Sequence, residues 1–121
     1  MPIVDIEIVL RANEIIREEM VSELADELGE IFHSSPGKTW LKVRLLAAAQ
    51  YAENGGKPEG VYPIFVTVLK SKMPSMEELQ EEMAKITGVV AHICGRPSEN
   101  IHVIFQPEGR GRVAFGGKLV L

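Results

Sequence analysis

Proline follows the first methionine of the sequence, which begins Met1-Pro2-Ile3-Val4. Inside a chain a proline nitrogen is an amide without a proton. If Met1 is removed, Pro2 becomes a secondary amine, and terminal amino groups titrate at about 7.7–8.0, within tuning reach of neutrality. Such an amine can take a proton from an enol hydroxyl or from carbon beside a carbonyl and return it elsewhere on the substrate. Pro2 is therefore the candidate catalytic residue, acting as a general base.

Basic residues near the ends of the apolar segments are candidates for holding an anionic substrate. Arg11, Arg44, Lys70 and Lys72 have this placement in a chain of net charge −4. A cation near the amine would also lower its pKa. Composition alone equally explains Arg11, Lys70 and Lys72 as solvated strand ends. Arg44 could instead form an ion pair in a ladder of charges across neighbouring strands.

Other chemistries receive little support from the composition. The single cysteine, Cys94, excludes an intrachain disulfide and fits a reducing compartment. No spacing of His, Cys, Asp or Glu indicates a metal site, and we expect no cofactor. The net charge of −4 disfavours nucleic acid as a partner. Asp5 and Glu7 interrupt the first apolar run, which argues against a signal peptide or membrane span, so we expect a cytoplasmic protein.

The sequence contains two copies of one pattern. An offset of 61 residues places Pro2 over Pro63 and Pro36 over Pro97. Each copy has an apolar strand, a long amphipathic segment, a turn marked by proline and a second strand. We assign the first repeat to about 2–50, a linker to about 51–60 and the second repeat to about 61–121, all within a single domain, 1–121.

Hydrophobic periodicity predicts the elements of each repeat. Alternation predicts strands over 2–10, 40–46, 61–70 and 101–105. Apolar steps of three and four predict a helix from Asn13, as N-cap, to His33, and a second helix from Pro74-Ser75, where Ser75 and Glu78 have capping-box spacing. Glycines bound a short hairpin over 112–121. The fold class is α+β: two tandem β-α-β repeats form a four-stranded sheet with both helices on one face, plus the C-terminal hairpin.

The same offset predicts which side chains face away from the helices. Asp5 and Glu7 in the first copy become Val66 and Val68 in the second, and the second strand gives Ile101, Val103 and Phe105. An apolar face of that kind is costly to leave in water, at roughly 25 cal/mol per Å². Copies of the same chain are the simplest cover.

These features together resemble the tautomerase superfamily. The resemblance rests on the Met1-Pro2 start, on the doubled β-α-β unit of about sixty residues and on the closing segment NIHVIFQPEGRGRVAFGG. It covers nearly the whole chain and implies the tautomerase fold and a homotrimer whose sheets surround a central barrel. It also implies a cofactor-free active site around the N-terminal proline, near a subunit boundary.

The resemblance extends to the candidate binding residues, with departures. A substrate-binding arginine of the family falls on Ala12, and on Met73 in the second repeat, so that Arg11 and Lys72 lie one residue earlier. A second family arginine corresponds to Lys70, and a third falls on His102. Arg112 lies in the hairpin region that helps to close the family's pocket. His102 is otherwise a satisfied strand histidine, and Arg112 a solubilising residue.

The implied function is keto-enol tautomerisation or isomerisation of a small 2-hydroxy-enoate or 2-oxo acid. The sequence leaves three alternatives open. Two are other reactions of the superfamily, hydration with dehalogenation and decarboxylation, in which a protonated Pro2 would act as an acid. The third is a trimeric binding module without catalysis, because Pro2 cannot act while Met1 remains attached.

Overall fold

The computed structural model describes residues 1–121 and contains one four-stranded sheet. The elements are β1 (Ile3–Val9), α1 (Glu18–Ile31), β2 (Trp40–Leu46), β3 (Ile64–Leu69), α2 (Met76–Cys94), β4 (Ile101–Phe105), β5 (Ala114–Phe115) and β6 (Lys118–Leu119). The strand order is β2-β1-β3-β4. Strands pair in parallel within each repeat, and β1 and β3 pair antiparallel at the centre. The predicted α+β fold and its C-terminal hairpin are confirmed.

Both helices cover one face of the sheet, and the core lies between these two layers. Val4, Ile6 and Ile8 of β1 are buried against Leu24 and Leu28 of α1. β3 and α2 supply the matching set, which is Ile64, Val66, Val68, Ile86, Val90, Ala91 and Cys94. Neither helix combines the length and the apolar character that crossing a bilayer requires.

The two helices begin differently. Ser75 is the N-cap of α2, and its hydroxyl accepts a hydrogen bond from the Glu78 backbone N–H at 3.2 Å, as predicted. α1 instead begins at Glu18, after Arg17, so the prediction that Asn13 caps it is wrong. Asn13 has a φ of 62°, a left-handed conformation that asparagine tolerates in turns. The residues between β1 and α1 therefore form a loop.

The prediction about the face away from the helices, which we call the outer face, is also wrong. Val66, Val68 and Ile101 are buried in the core, and Val103 and Phe105 pack against it. The core residues repeat at an offset of 62, from Val4 to Val66 and from Leu24 to Ile86. An offset of 61 is one residue short, and in a strand one residue moves every side chain to the opposite face.

The outer face is mixed in character. On its β1-β2 half, Lys42 lies 3.3 Å from Asp5 and Arg44 lies 4.0 Å from Glu7, so the ladder of ion pairs is present, although it is solvent-accessible in the single chain. On its β3-β4 half, Phe65, Thr67, His102 and Ile104 project from paired positions. Ile104 is 55% exposed and Trp40 is 42% exposed. Apolar surface therefore remains for a partner to cover, but from other residues than predicted.

Candidate active site

A cleft of about 710 Å³ opens at the end of the sheet where β1 begins and β3 ends. These two ends are neighbours because the antiparallel pairing places Ile3 opposite Leu69. The residues that line the cleft are Met1, Pro2, Phe32, His33, Ser34, Ser35, Lys38, Lys70, Ser71, Lys72, Met73, Pro74, Ser75 and Glu78. Of the predicted site residues, the structure brings Pro2, Lys70 and Lys72 together here.

Pro2 is buried and lines this cleft. Its carbonyl accepts a hydrogen bond from the Trp40 backbone N–H at 3.0 Å, which continues the β1-β2 pairing and fixes the residue. Met1, bonded to the proline nitrogen, also lines the cleft. Removal of Met1 would therefore expose a secondary amine on an anchored residue beside the cavity.

One wall of the cleft is the turn after α1, which contains His33, Ser34, Ser35 and Lys38. His33 has a φ of 54°, in the left-handed region, where the chain reverses direction after the helix. The Thr39 hydroxyl donates to the Ser34 hydroxyl at 2.6 Å and ties the turn to the start of β2. Sequence analysis missed these residues as site candidates. The predicted parallel pairing of β2 with β1 could have identified them, because it places the turn before Trp40 next to Pro2.

The opposite wall follows β3. The Lys70 ammonium lies 3.1 Å from both carboxylate oxygens of Glu82 on α2, and 5.1 Å from the centre of the Phe32 ring. Lys72 is exposed and makes no ion pair. Lys72 is therefore available to an anion, whereas Lys70 already shares its charge with a carboxylate.

The charge of the cleft is opposite to that of the chain. Lys38 and Lys72 contribute positive charge, Lys70 is paired with Glu82, and Glu78 is the only carboxylate among the lining residues. The chain as a whole carries −4. Cations gathered in a cleft attract small anions more strongly than the same charges spread over a flat surface. The arrangement is suited to holding a carboxylate beside Pro2.

Arg11 lies far from the cleft of its own chain. β1 separates it from Pro2, and its 7 residues span roughly 23 Å at about 3.3 Å each. The Arg11 guanidinium donates to the Glu14 carboxylate at 2.8 Å and to the Gly95 carbonyl at 3.0 Å. Its contacts in the single chain thus hold the loop after β1.

Arg44 and His102 project from the outer face instead of the cleft. Arg44 lies beside Glu7, as described above. The His102 ring is 5.4 Å from the Phe65 ring, which in turn lies 6.0 Å from Tyr51. Tyr51, Phe65 and His102 thus form an aromatic row from the loop after β2 across β3 to β4. Arg44 and His102 could reach a site only where a second chain meets this face.

Arg112 also lies outside the cleft lining. Its guanidinium donates to the Pro107 carbonyl at 2.8 Å and to the Glu108 carbonyl at 2.9 Å, which closes the turn before the hairpin. The hairpin packs nearby, with the Phe115 ring 5.3 Å from the Trp40 ring in an edge-on contact. Arg112 therefore shapes a segment that borders the cleft.

The other end of the sheet, where β3 begins after Pro63, is filled. Arg96 occupies it with a buried side chain that donates to the carbonyls of Tyr62, Val9 and Cys94. It also forms a two-bonded ion pair with Glu14, at 2.6 and 2.7 Å. The offset of 62 matches Arg96 with Ser34, a short side chain in the wall of the open cleft. The doubled chain thus has one open end and one closed end.

Two titratable groups at the closed end have altered pKa values. Burial alone would raise the pKa of Glu14, but hydrogen bonds from Arg96 and Arg11 outweigh burial and lower it to about 2. Burial raises the pKa of the Cys94 thiol to about 11, so Cys94 is not a nucleophile at neutral pH. No three His, Cys, Asp or Glu side chains come together as a metal site would require. These groups therefore belong to the packing of the closed end.

Solved structures share this architecture over nearly the full chain. Macrophage migration inhibitory factor from Trichinella spiralis matches with a TM-score of 0.72 and 15% identity, covering 97% of this chain and 98% of that one. A wild-type fused 4-OT in a symmetric trimer matches with a TM-score of 0.79 and 13% identity, covering 98% and 94%. The chain has the tautomerase fold. Pt0534 inactivated by 2-oxo-3-pentynoate is also similar, with a TM-score of 0.76 and 13% identity, covering 97% and 94%.

No protein-family model matches the sequence, and comparison with curated proteins finds no match. The likeness is therefore one of three-dimensional structure.

Proposed function

We propose that this protein is a cofactor-free tautomerase or isomerase of a small 2-hydroxy-enoate or 2-oxo acid, and that Pro2 is its general base after removal of Met1. The observation that carries the proposal is that Pro2 lines an open cleft together with three lysines, Lys38, Lys70 and Lys72. The similar structure inactivated by 2-oxo-3-pentynoate supports a small 2-oxo acid as the substrate class.

The mechanism follows from the chemistry of a partly enclosed amine. Burial disfavours the protonated form of the Pro2 amine, and the positive charges of the neighbouring lysines disfavour it further. We therefore expect a neutral amine at pH 7. The substrate carboxylate binds Lys72, with Lys38 on the facing wall. The Pro2 amine then takes the enol hydroxyl proton and returns a proton to carbon, which converts the enol into the keto acid. No net change in redox state or charge occurs.

We further propose a homotrimer in the cytoplasm. The outer face keeps Trp40 and Ile104 partly exposed, and a fused 4-OT of the same fold forms a trimer. In such an assembly a partner's Arg44 or Arg11 could approach the cleft, which neither does within one chain. A cytoplasmic location agrees with the unpaired, buried thiol of Cys94.

Two alternatives rest on the state of Pro2. If the amine stays protonated well above neutral pH, it acts as an acid, and hydration with dehalogenation or decarboxylation becomes the reaction. If Met1 stays attached, the nitrogen is an amide, and the cleft is a binding site for a small anion without catalysis.

The deciding experiment compares processed with Met1-retained protein, each identified by intact mass. The absorbance of the enol form of a 2-oxo acid should disappear quickly with processed protein. The rate of this loss should increase with pH through the pKa of the amine. A variant in which Pro2 is changed to alanine should form the same assembly with lower turnover, because it ends in a primary amine. Full activity in wholly Met1-retained protein would refute the mechanism.

A further inference from the structure

The turn that precedes the C-terminal hairpin is hydrogen-bonded along the loop that carries the cleft lysines. The Gly109 N–H donates to the Lys70 carbonyl at 2.8 Å, and the Arg110 N–H donates to the Ser71 carbonyl at 3.0 Å. Gly109 is buried, and a Cβ there would lie 2.9 Å from the Val113 side chain. The turn is therefore closely packed around Gly109 and is hydrogen-bonded to the 70–73 loop at two positions.

A side chain completes this contact. One carboxylate oxygen of Glu108 accepts the Met73 backbone N–H at 3.0 Å, and its other oxygen lies 3.6 Å from the Arg110 guanidinium. Met73 directly follows Lys72 and lines the cleft. A partly buried N–H that loses its acceptor is left without a hydrogen-bond partner, which gives the loop a reason to rearrange.

We propose that Glu108 is a positioning residue for anion binding: its carboxylate fixes the Met73 backbone and thereby holds Lys70 and Lys72 at the cleft. Glu108 does not line the cleft, so it acts through the loop and not by touching the ligand. The kinetic part of this inference rests on the proposed function, whereas its structural and binding parts do not.

The test compares Glu108→Ala with Glu108→Gln, which keeps an acceptor oxygen, and with Glu99→Ala as an exposed control remote from the loop. In Glu108→Ala the Met73 amide should exchange with solvent deuterium at least tenfold faster. The Kd for pyruvate, the probe anion, should rise at least fivefold by NMR titration. Glu108→Gln should restore most of both quantities, and Glu99→Ala should change neither. Where turnover is measurable, Glu108→Ala should raise KM, and its kcat should stay within twofold of the wild-type value.

The outcomes separate this inference from the proposed function. Unchanged Met73 exchange or unchanged pyruvate affinity in Glu108→Ala overturns the positioning role, whatever the enzyme does. A wild-type protein that binds pyruvate but leaves an enol unconverted refutes the tautomerase proposal, and the positioning role then stands on exchange and affinity.

Discussion

The ion pair of Glu14 and Arg96 should make the stability of the protein depend on pH in a defined window. The pKa of Glu14 falls from its usual 4.5 to about 2 on folding. At about 1.4 kcal/mol for each tenfold change, this fall contributes about 3 kcal/mol to the free energy of unfolding at neutral pH. A group whose pKa is lowered by folding stabilises the folded state at pH values above its pKa in the unfolded chain. The contribution of Glu14 is therefore complete above about pH 5. It falls to about 1.4 kcal/mol at pH 3 and below 1 kcal/mol at pH 2.

Urea unfolding of the wild type and Glu14→Gln would measure this contribution. The two proteins should differ by about 3 kcal/mol or more at pH 7, because the variant also leaves the buried Arg96 charge poorly paired. The difference should shrink towards pH 2, as the wild-type carboxyl becomes protonated. The other carboxylates contribute equally to both proteins, so their pH dependence cancels in the difference between the two free energies of unfolding. A constant chain concentration keeps the contribution of assembly to each free energy fixed.

Glu19→Gln provides the matched control, because Glu19 is an exposed first-turn residue of α1 with no ion pair. Its effect should stay within about 0.5 kcal/mol at every pH. A destabilisation by Glu14→Gln that is the same at pH 7 and pH 2.5 would refute the reasoning, since it would assign the cost to packing instead of charge.

Three further variants test the cleft, the turn and the outer face. Lys72→Ala should raise KM for a 2-oxo acid about tenfold, or about 1.4 kcal/mol, while Lys118→Ala in the hairpin leaves steady-state kinetics unchanged. Gly109→Ala should lower the thermal midpoint in calorimetry by several degrees, because its Cβ would collide with Val113. Ile104→Glu should shift sedimentation towards monomer at micromolar concentration while the far-ultraviolet circular dichroism is kept, because it would place a charge in the proposed interface. Unchanged kinetics, midpoint or sedimentation, respectively, would contradict these expectations.

Much of the fold could be predicted from the sequence, because local signals and long-range pairing agreed. Alternation gave the bounds of β2 and β4 directly, and Ser75 with Glu78 marked the start of α2. The face of β3 could not be read from the prolines, because Pro2 and Pro63 set an offset of 61 whereas the core stripes repeat at 62. Helix periodicity tolerates a one-residue error, but strand alternation does not.

The candidate site was predictable where it depends on strand ends. Lys70 and Lys72 follow β3, and antiparallel pairing with β1 brings them to Pro2. His33 and Lys38 belong to a turn whose composition signals only a chain reversal, so their place in the cleft emerges from the pairing of Trp40 with Ile3. The contacts of Arg11 were not predictable either, because its partners, Glu14 and Gly95, come from a loop and from the end of α2.

The contrast between the two ends of the sheet explains how a doubled chain can carry a single candidate site. Each end combines a proline before a central strand, the turn after a helix and the loop after the other central strand. At one end the turn supplies Ser34, and a cleft of about 710 Å³ stays open above Pro2. At the other end it supplies Arg96, whose hydrogen bonds saturate the same space. The nitrogen of Pro63 is an internal amide and cannot serve as a base, so closing that end removes no candidate catalytic group. The hydrogen bonds of Arg96 there stabilise the fold.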